Sequence, residues 1–315
     1  IFNMVYNLHQ NNLITKLEKE NDFIILECDP DYSQWTKWCI NLGDRLIFML
    51  KPEHGFEYNS LLDSLNKVHK ETPVHLQKKR QLIIYHNDKI SFPKNTLSYL
   101  NELTPINMHF HIEKGNTKDF DRVARILTGK GIGLCLAGGG AKGNAHIGVY
   151  KALLENNIPI DVICGTSAGG IVASLIAFGY SPTEIITKLK ESYKRKIFKE
   201  YTIPYISLIA TKKVEEDAKI LGGDNNIEDL WLPLFTCAVN ISTAKLDVID
   251  RGPVWVATRA TAALPGILLP VIRDNSLLVD GGLINNMPGD ILVKRYNCKL
   301  ISVSVSQEEE MIPKF

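Results

Sequence analysis

With 315 residues, 45 % of them hydrophobic and 23 % charged, the chain can bury a substantial core and has the length of two domains. Its 36 Lys and Arg against 35 Asp and Glu leave a formal net charge of +1, which is no electrostatic footprint for a nucleic-acid partner. No run reaches the roughly 18 uninterrupted apolar residues of a membrane span and no secretory apolar region opens the chain, so the expected location is intracellular, either cytoplasmic or peripherally membrane-associated.

The sequence opens on a helix-like pattern from about Tyr6 to Lys19, followed by alternating apolar residues from Phe23 to Cys28 that predict a strand. Because this pattern starts at Ile1 in mid-unit, the chain is expected to be a fragment of a longer protein, truncated at its start. Strand-like runs at Arg45 to Leu50, Gln81 to Tyr85 and Met108 to Ile112 then alternate with helix-like stretches near Gln34 to Asn41, Ser60 to His69 and Asn95 to Leu103. Such βαβ alternation predicts a small, mostly parallel sheet covered by helices over residues 1–115. This accessory unit carries no nucleophile and no phosphate loop, which suits docking or regulation. Asp29 and Asp31 fit either an acidic pocket of receiver type or, more simply, a solvated turn. His109 and His111 alternate along one strand, without the third ligand that a metal site needs.

Lys114-Gly115-Asn116 breaks the pattern, so a second domain is expected over residues 116–315. It begins with a short amphipathic helix from Phe120 to Leu127 and the apolar strand Ile132-Gly133-Leu134-Cys135-Leu136-Ala137. Directly after that strand stand Gly138, Gly139, Gly140, Ala141, Lys142 and Gly143, and then a helix to about Glu155. Consecutive glycines leave backbone N–H groups uncovered, and at a helix N-terminus these point at anything negative. The loop can hold an oxyanion, with Lys142 adding positive potential. The same hexapeptide satisfies GxGxxG, so a dinucleotide-binding turn and a purely structural glycine turn stand beside that reading. The dinucleotide reading requires an acidic residue at the end of the next strand. Here Asp161 lies before the next strand, Val162-Ile163-Cys164, which runs instead into Gly165-Thr166-Ser167-Ala168-Gly169.

That GxSxG pentapeptide opens a helix-like stretch from Gly170 to Phe178. Strand, tight turn and helix in this order expose a serine hydroxyl at a sheet edge, so Ser167 is the candidate nucleophile. A base is needed. Of the 8 histidines only His146 lies beyond residue 115 and none follows Ser167, which excludes the order Ser, acid, His within this chain. His146 falls three residues into the helix after the glycine loop, where packing or a hydrogen bond explains it more simply than catalysis. The remaining candidate is Asp280 in Leu277-Leu278-Val279-Asp280-Gly281-Gly282, delivered to an edge by an apolar strand. Asp-Gly is also a common turn dipeptide, so Asp280 gains weight only beside the two upstream motifs. An aspartate with the ordinary pKa of about 3.9 is a weak base for a hydroxyl, and burial beside Ser167 would be needed to raise it.

Further strands are expected around Phe235 to Val239, Leu246 to Ile249 and Leu300 to Val305, with a helix near Trp255 to Ala263. Six cysteines without a CxxC pair, several of them in apolar strands, read as buried thiols in a reducing compartment, and no metal cluster is apparent. From Lys188 to Lys213, basic and aromatic residues interleave, which suits either an anionic bilayer surface or an ordinary solvated helix and loop.

The glycine loop, the serine turn and the Asp280 motif, in this order, resemble the patatin-like phospholipase family. Ile227 to Pro233 and Thr258 to Gly266 are similar to its branch related to neuropathy target esterase. The likeness runs from roughly residue 120 to the end, with a fainter echo in Tyr32 to Ile40. The resemblance implies a three-layer α/β/α catalytic domain preceded by a smaller α/β domain. It implies a serine lipid acyl hydrolase in which Gly138 to Gly143 form the oxyanion loop, Ser167 is the nucleophile and Asp280 its dyad partner, without cofactor or metal. Its partners would be a phospholipid or lysophospholipid substrate and a membrane surface touched peripherally. Relatives in that branch often carry cyclic-nucleotide-binding-like domains upstream. The alternative is a non-catalytic lipid- or nucleotide-binding module that keeps the fold.

Overall fold

A computed structural model describes residues 13–53, 59–72, 77–103, 105–195, 207–209 and 211–305. The opening helix pattern therefore falls partly outside the described residues, of which 13–20 are helical. The basic and aromatic stretch from Lys188 to Lys213 is described only at its two ends and at residues 207–209.

The first half of the chain alternates as expected: α1 (Gln34–Leu42), β1 (Arg45–Leu50), α2 (Asn59–Glu71), β2 (Lys79–His86), α3 (Thr96–Glu102) and β3 (Met108–Glu113). Helix α1 starts where Ser33 accepts a hydrogen bond from the Thr36 N–H, an N-cap that satisfies an orphan donor. The three strands form a parallel sheet in the order β1-β2-β3. Leu82 and Ile84 of β2 face one core with Leu50, Leu62, Leu100 and Leu103. Ile83 points the other way, with Phe110 and Ile112 of β3, and joins the core of the second half.

The segment from Phe23 to Cys28 is not a strand. Phe23 and Ile25 stay exposed, Ile25 by 91 %, Ile24 and Leu26 are half-buried, and among the described residues β1 pairs only with β2. Alternation becomes a strand only where a neighbour completes the hydrogen-bond ladder; here the Glu27 carbonyl instead accepts from Trp35 Nε1 at 2.7 Å. Asp29 and Asp31 are exposed, and Asp29 accepts from the Ser33 hydroxyl, which fits the solvated turn. His109 and His111 each donate through Nε2 to the carbonyl oxygen of Glu228 at 2.9 Å, while His111 Nδ1 meets His86 Nε2 at 3.0 Å. These rings join the small sheet to the second half of the chain. Burial lowers the pKa of His86, His109 and His111, consistent with neutral rings.

Helix α4 (Thr117–Leu127) leads into β4 (Ile132–Leu136), a 3-10 turn (Gly140–Asn144), α5 (Ala145–Glu155), β5 (Val162–Thr166), α6 (Ala168–Ala177) and α7 (Pro182–Lys194). After the partly described stretch come α8 (Thr211–Gly222), β6 (Leu234–Asn240), β7 (Lys245–Ile249), α9 (Val254–Thr261), β8 (Val271–Arg273), β9 (Ser276–Asp280), α10 (Gly289–Tyr296) and β10 (Lys299–Val303). The strands form one sheet in the order β10-β4-β5-β6-β9-β8, with β7 also paired to β6. β10, β4, β5 and β6 run parallel, and β7, β8 and β9 are antiparallel additions.

Apolar residues of α5, α6, α7 and α9 pack with Leu134, Leu136, Ile163 and Leu234 on one face of this sheet. Val123 and Ile126 of α4, Leu292 and Tyr296 of α10 and the small sheet cover the other, against Cys135, Val162, Cys164 and Phe235. The result is a three-layer α/β/α arrangement with a smaller parallel sheet attached. All six cysteines are free thiols; five are buried and Cys28 is exposed. Among the described residues no helix is long and apolar enough to cross a membrane.

Candidate functional site

Strand order brings the three motifs to one edge. The chain passes from β4 to β5 to β6, whereas β10 returns to the far side of β4, so the sequence of strands reverses at β4. In open α/β sheets the crevice beyond the strand ends at such a point receives ligands. The glycine loop leaves β4 there and Ser167 leaves the neighbouring β5. On the other side of β6, antiparallel β9 descends until Asp280 lies opposite Ala238, one step from Cys237, which is itself opposite Thr166. Asp280 thus arrives at the level at which Ser167 departs.

Ser167 sits at φ 55° and ψ −128°, a backbone conformation that a non-glycine residue adopts at a cost of about 1–3 kcal/mol. The flanking glycines make the turn possible: a Cβ on Gly169 would lie 2.2 Å from the Leu136 carbonyl oxygen, so only glycine lets α6 start this close to β4. The serine backbone is held by two contacts, its N–H donating to Thr261 Oγ1 at 2.9 Å and its carbonyl accepting from the Ile171 N–H at 3.1 Å.

Asp280 is almost fully buried, 2 % exposed. Its Oδ1 accepts from the Gly282 N–H at 2.8 Å, and Oδ2 receives no hydrogen bond of full geometry. Burial pushes the carboxyl above the usual aspartate value of 3.8; the nearby Ser167 side chain and the Gly282 N–H oppose that rise in part. A buried carboxylate with an open oxygen beside a serine hydroxyl can accept a proton from it.

The glycine loop folds over this pair. A Cβ on Gly138 would meet Asn286 Oδ1 at 2.4 Å and Ser167 Cβ at 2.9 Å, so the loop backbone lies against the serine. Gly138 is paired with Asn286, its N–H donating to the Asn286 carbonyl and its carbonyl accepting from Nδ2, both at 3.2 Å. The N–H groups of Gly139 and Gly140 have no acceptor among the described residues, and Gly140 takes the left-handed conformation at φ 55°. Gly143 packs against Ala168, while Ala141 and Lys142 are exposed. Thr166 donates from Oγ1 to the Asn285 carbonyl at 3.0 Å, and Gly281 lies against the Cys237 carbonyl. His146 is buried and donates through Nε2 to the Ala137 carbonyl at 2.8 Å, a strand-to-helix tie. Asp161, the acid nearest to a dinucleotide reading, is held bidentately by Arg125 and accepts from the Ile132 N–H.

Two residues at the site were not singled out for a role there, although Thr261 lies in the Thr258 to Gly266 stretch that carried the family likeness. Thr261 grips the Ser167 N–H across 94 positions, and Asn286 grips Gly138 across 148. Both are ordinary polar residues in loops or helix ends, and only their partners single them out.

A family model described as Patatin-like phospholipase matches residues 134–293, and one described as Neuropathy Target Esterase family P-loop like domain matches residues 1–118. Neuropathy target esterase sws of Drosophila melanogaster is 27 % identical over 343 residues, covering 98 % of this chain and 24 % of the relative. Patatin-like phospholipase domain-containing protein 7 of Rattus norvegicus is 29 % identical over 340 residues, covering 96 % and 25 %. The chain therefore spans about a quarter of the length of these curated relatives. Among solved structures, VipD from Legionella pneumophila aligns with a TM-score of 0.38 at 17 % identity, covering 55 % of this chain and 49 % of that one.

Proposed function

Because this chain belongs to the patatin-like phospholipase family, we propose that it is a serine ester hydrolase that releases fatty acids from lysophospholipids or phospholipids through a Ser167/Asp280 dyad. The observation that carries this reading is the buried Asp280 carboxylate beside the strained Ser167, with one carboxylate oxygen free of strong hydrogen bonds. In the first step Ser167 Oγ attacks the ester carbonyl carbon while its proton passes to Asp280. The negative charge on the carbonyl oxygen is met by the N–H groups of Gly139 and Gly140 and by the start of α6 at Ala168, each well-aimed donor lowering the barrier by about 3 kcal/mol. Asp280 then protonates the departing alkoxide, leaving an acyl-serine. In the second step a water gives its proton to Asp280, attacks the acyl carbon and releases the fatty acid, and the proton returns to Ser167.

Residues 1–115 form, on this reading, an accessory unit tied to a hydrolase unit over 116–315. On the same reading, the mouth of the site would face a lipid surface, with the basic end of α7 toward the headgroups.

Labelling with a fluorophosphonate probe, followed by mass-spectrometric mapping, tests the nucleophile. An adduct on Ser167 that is lost in Ser167→Ala supports the dyad. Folded wild-type protein that takes up no label on Ser167 points to the non-catalytic lipid- or nucleotide-binding alternative.

A further inference from the structure

One short turn reaches both members of the dyad. Helix α9 ends at Thr261, and Ala262 and Ala263 follow at once. Thr261 Oγ1 accepts the Ser167 N–H at 2.9 Å and donates its own hydrogen to the Cys237 carbonyl at 2.6 Å. Two residues on, the Ala263 carbonyl accepts the Asp280 N–H at 2.9 Å, while the Ala263 N–H closes back on the Ala260 carbonyl at 3.2 Å. Thr261 and Ala263 are both fully buried, so neither bond competes with water.

We propose that the Thr261–Ala263 turn is the gauge that sets the separation of Ser167 and Asp280, with the Thr261 hydroxyl acting as the positioning residue for the nucleophile. The proposal rests on the dyad reading and adds to it the part that aligns the dyad. The reasoning is geometric. A serine that passes its proton directly to a carboxylate has no imidazole between them to absorb an error in spacing, so misplacement of about 1 Å is enough to lose about 100-fold in rate. Ser167 also holds an unfavourable φ, and such a residue persists only where its surroundings over-determine it. The polarity of the contact is fixed as well. Thr261 has one hydroxyl hydrogen, the Cys237 carbonyl takes it, and only lone pairs remain for the serine N–H. The Ser167 N–H is thereby engaged, which leaves the oxyanion to the glycine loop and Ala168.

The test compares wild type with Thr261→Ser, which keeps the hydroxyl, and Thr261→Val, which keeps the shape and loses the acceptor. The rate of fluorophosphonate labelling at Ser167, kcat and KM on a short-chain p-nitrophenyl ester, the pH profile and the thermal midpoint are read for each. The expected result is a fall of about 100-fold in kcat and in labelling rate for Thr261→Val, with KM nearly unchanged and the Ser variant within a few-fold of wild type. The acid limb of the Val variant moves to higher pH, because a more distant serine hydroxyl stabilises the Asp280 carboxylate less. A folded Thr261→Val protein that labels at the wild-type rate overturns the proposal. So does a Ser variant as slow as the Val one, which would assign the effect to the methyl packed near Gly170. Should Thr261→Val not fold, Thr261→Ala carries the same two expectations. Wild type that takes no label at Ser167 removes the dyad reading itself, and that outcome is read from the wild-type arm alone.

Discussion

Burial makes two opposed demands on Asp280. Removing the carboxylate from water raises its proton affinity, which on the proposed dyad would make it a better base for Ser167, yet a base works only while ionised. The acid limb of kcat/KM should therefore lie above the ordinary value of 3.8, and a profile with its limb at or below that value would contradict the dyad. The same shift bears on stability. An acid whose pKa is raised by folding stabilises the protein below its unfolded value and loses that contribution as the pH rises through its folded value. Above its folded pKa the ionised Asp280 is a cost, and Asp280→Asn should raise the melting temperature more at pH 8 than at pH 5 while abolishing turnover. The Asn side chain can still accept the Gly282 N–H that Asp280 Oδ1 takes at 2.8 Å.

At the scale of elements, helix α4 shows how one buried charge sets where two layers meet. Asn116 caps it by accepting from the Lys118 N–H, Val123 and Ile126 face the sheet, and Arg125 reaches Asp161 with bonds of 2.7 to 3.2 Å. Asp161 is fully buried and also accepts the Ile132 N–H that begins β4. Asp161→Ala leaves that N–H and a partly buried guanidinium without their acceptor. The expected loss is about 3 kcal/mol, measured by urea unfolding, and a loss under about 1 kcal/mol would show that water replaces the carboxylate. The amphipathic pattern from Phe120 to Leu127 predicted this helix, whose observed start is three residues earlier because the cap lies outside the apolar period. The alternation from Phe23 to Cys28 misled for the converse reason: the pattern was present but no strand among the described residues pairs with it.

At the scale of the molecule, the placement of α7 bears on the proposal that a lipid reaches Ser167. Tyr193 Oη donates to Asn144 Oδ1 at 3.2 Å, which brings the C-terminal end of α7 beside the turn that follows the glycine loop. Lys190 and Lys194 are exposed on that helix, and Lys142 is exposed on the loop. Near Asp280 the surface is apolar instead, with Leu264 41 %, Leu283 60 % and Ile284 51 % exposed. Basic groups beside an apolar rim suit an anionic bilayer surface, where each Lys contributes about 1 kcal/mol. Lys190→Glu with Lys194→Glu should weaken flotation with phosphatidylserine-containing vesicles by about 10-fold or more, an effect that salt erodes. Unchanged flotation would leave α7 as an ordinary solvated helix.

Sequence alone was enough for the features that depend on local backbone chemistry. Glycines around Ser167, a run of glycines after an apolar strand and Asp-Gly at a strand end each constrain a few neighbouring residues, so the serine turn, the glycine loop and the Asp280 turn could be located before any contact was known, and their roles in a dyad remain the proposal. The alternating strands and helices were legible for the same reason, as periodicity is a property of adjacent residues. Tertiary structure alone decided which polar groups meet. Thr261, Ala263 and Asn286 act through hydrogen bonds to residues up to 148 positions away, and His109 and His111 through the Glu228 carbonyl 119 and 117 positions on. Such pairings arise only when sheet order has brought distant strand ends to one edge, and no local pattern encodes them.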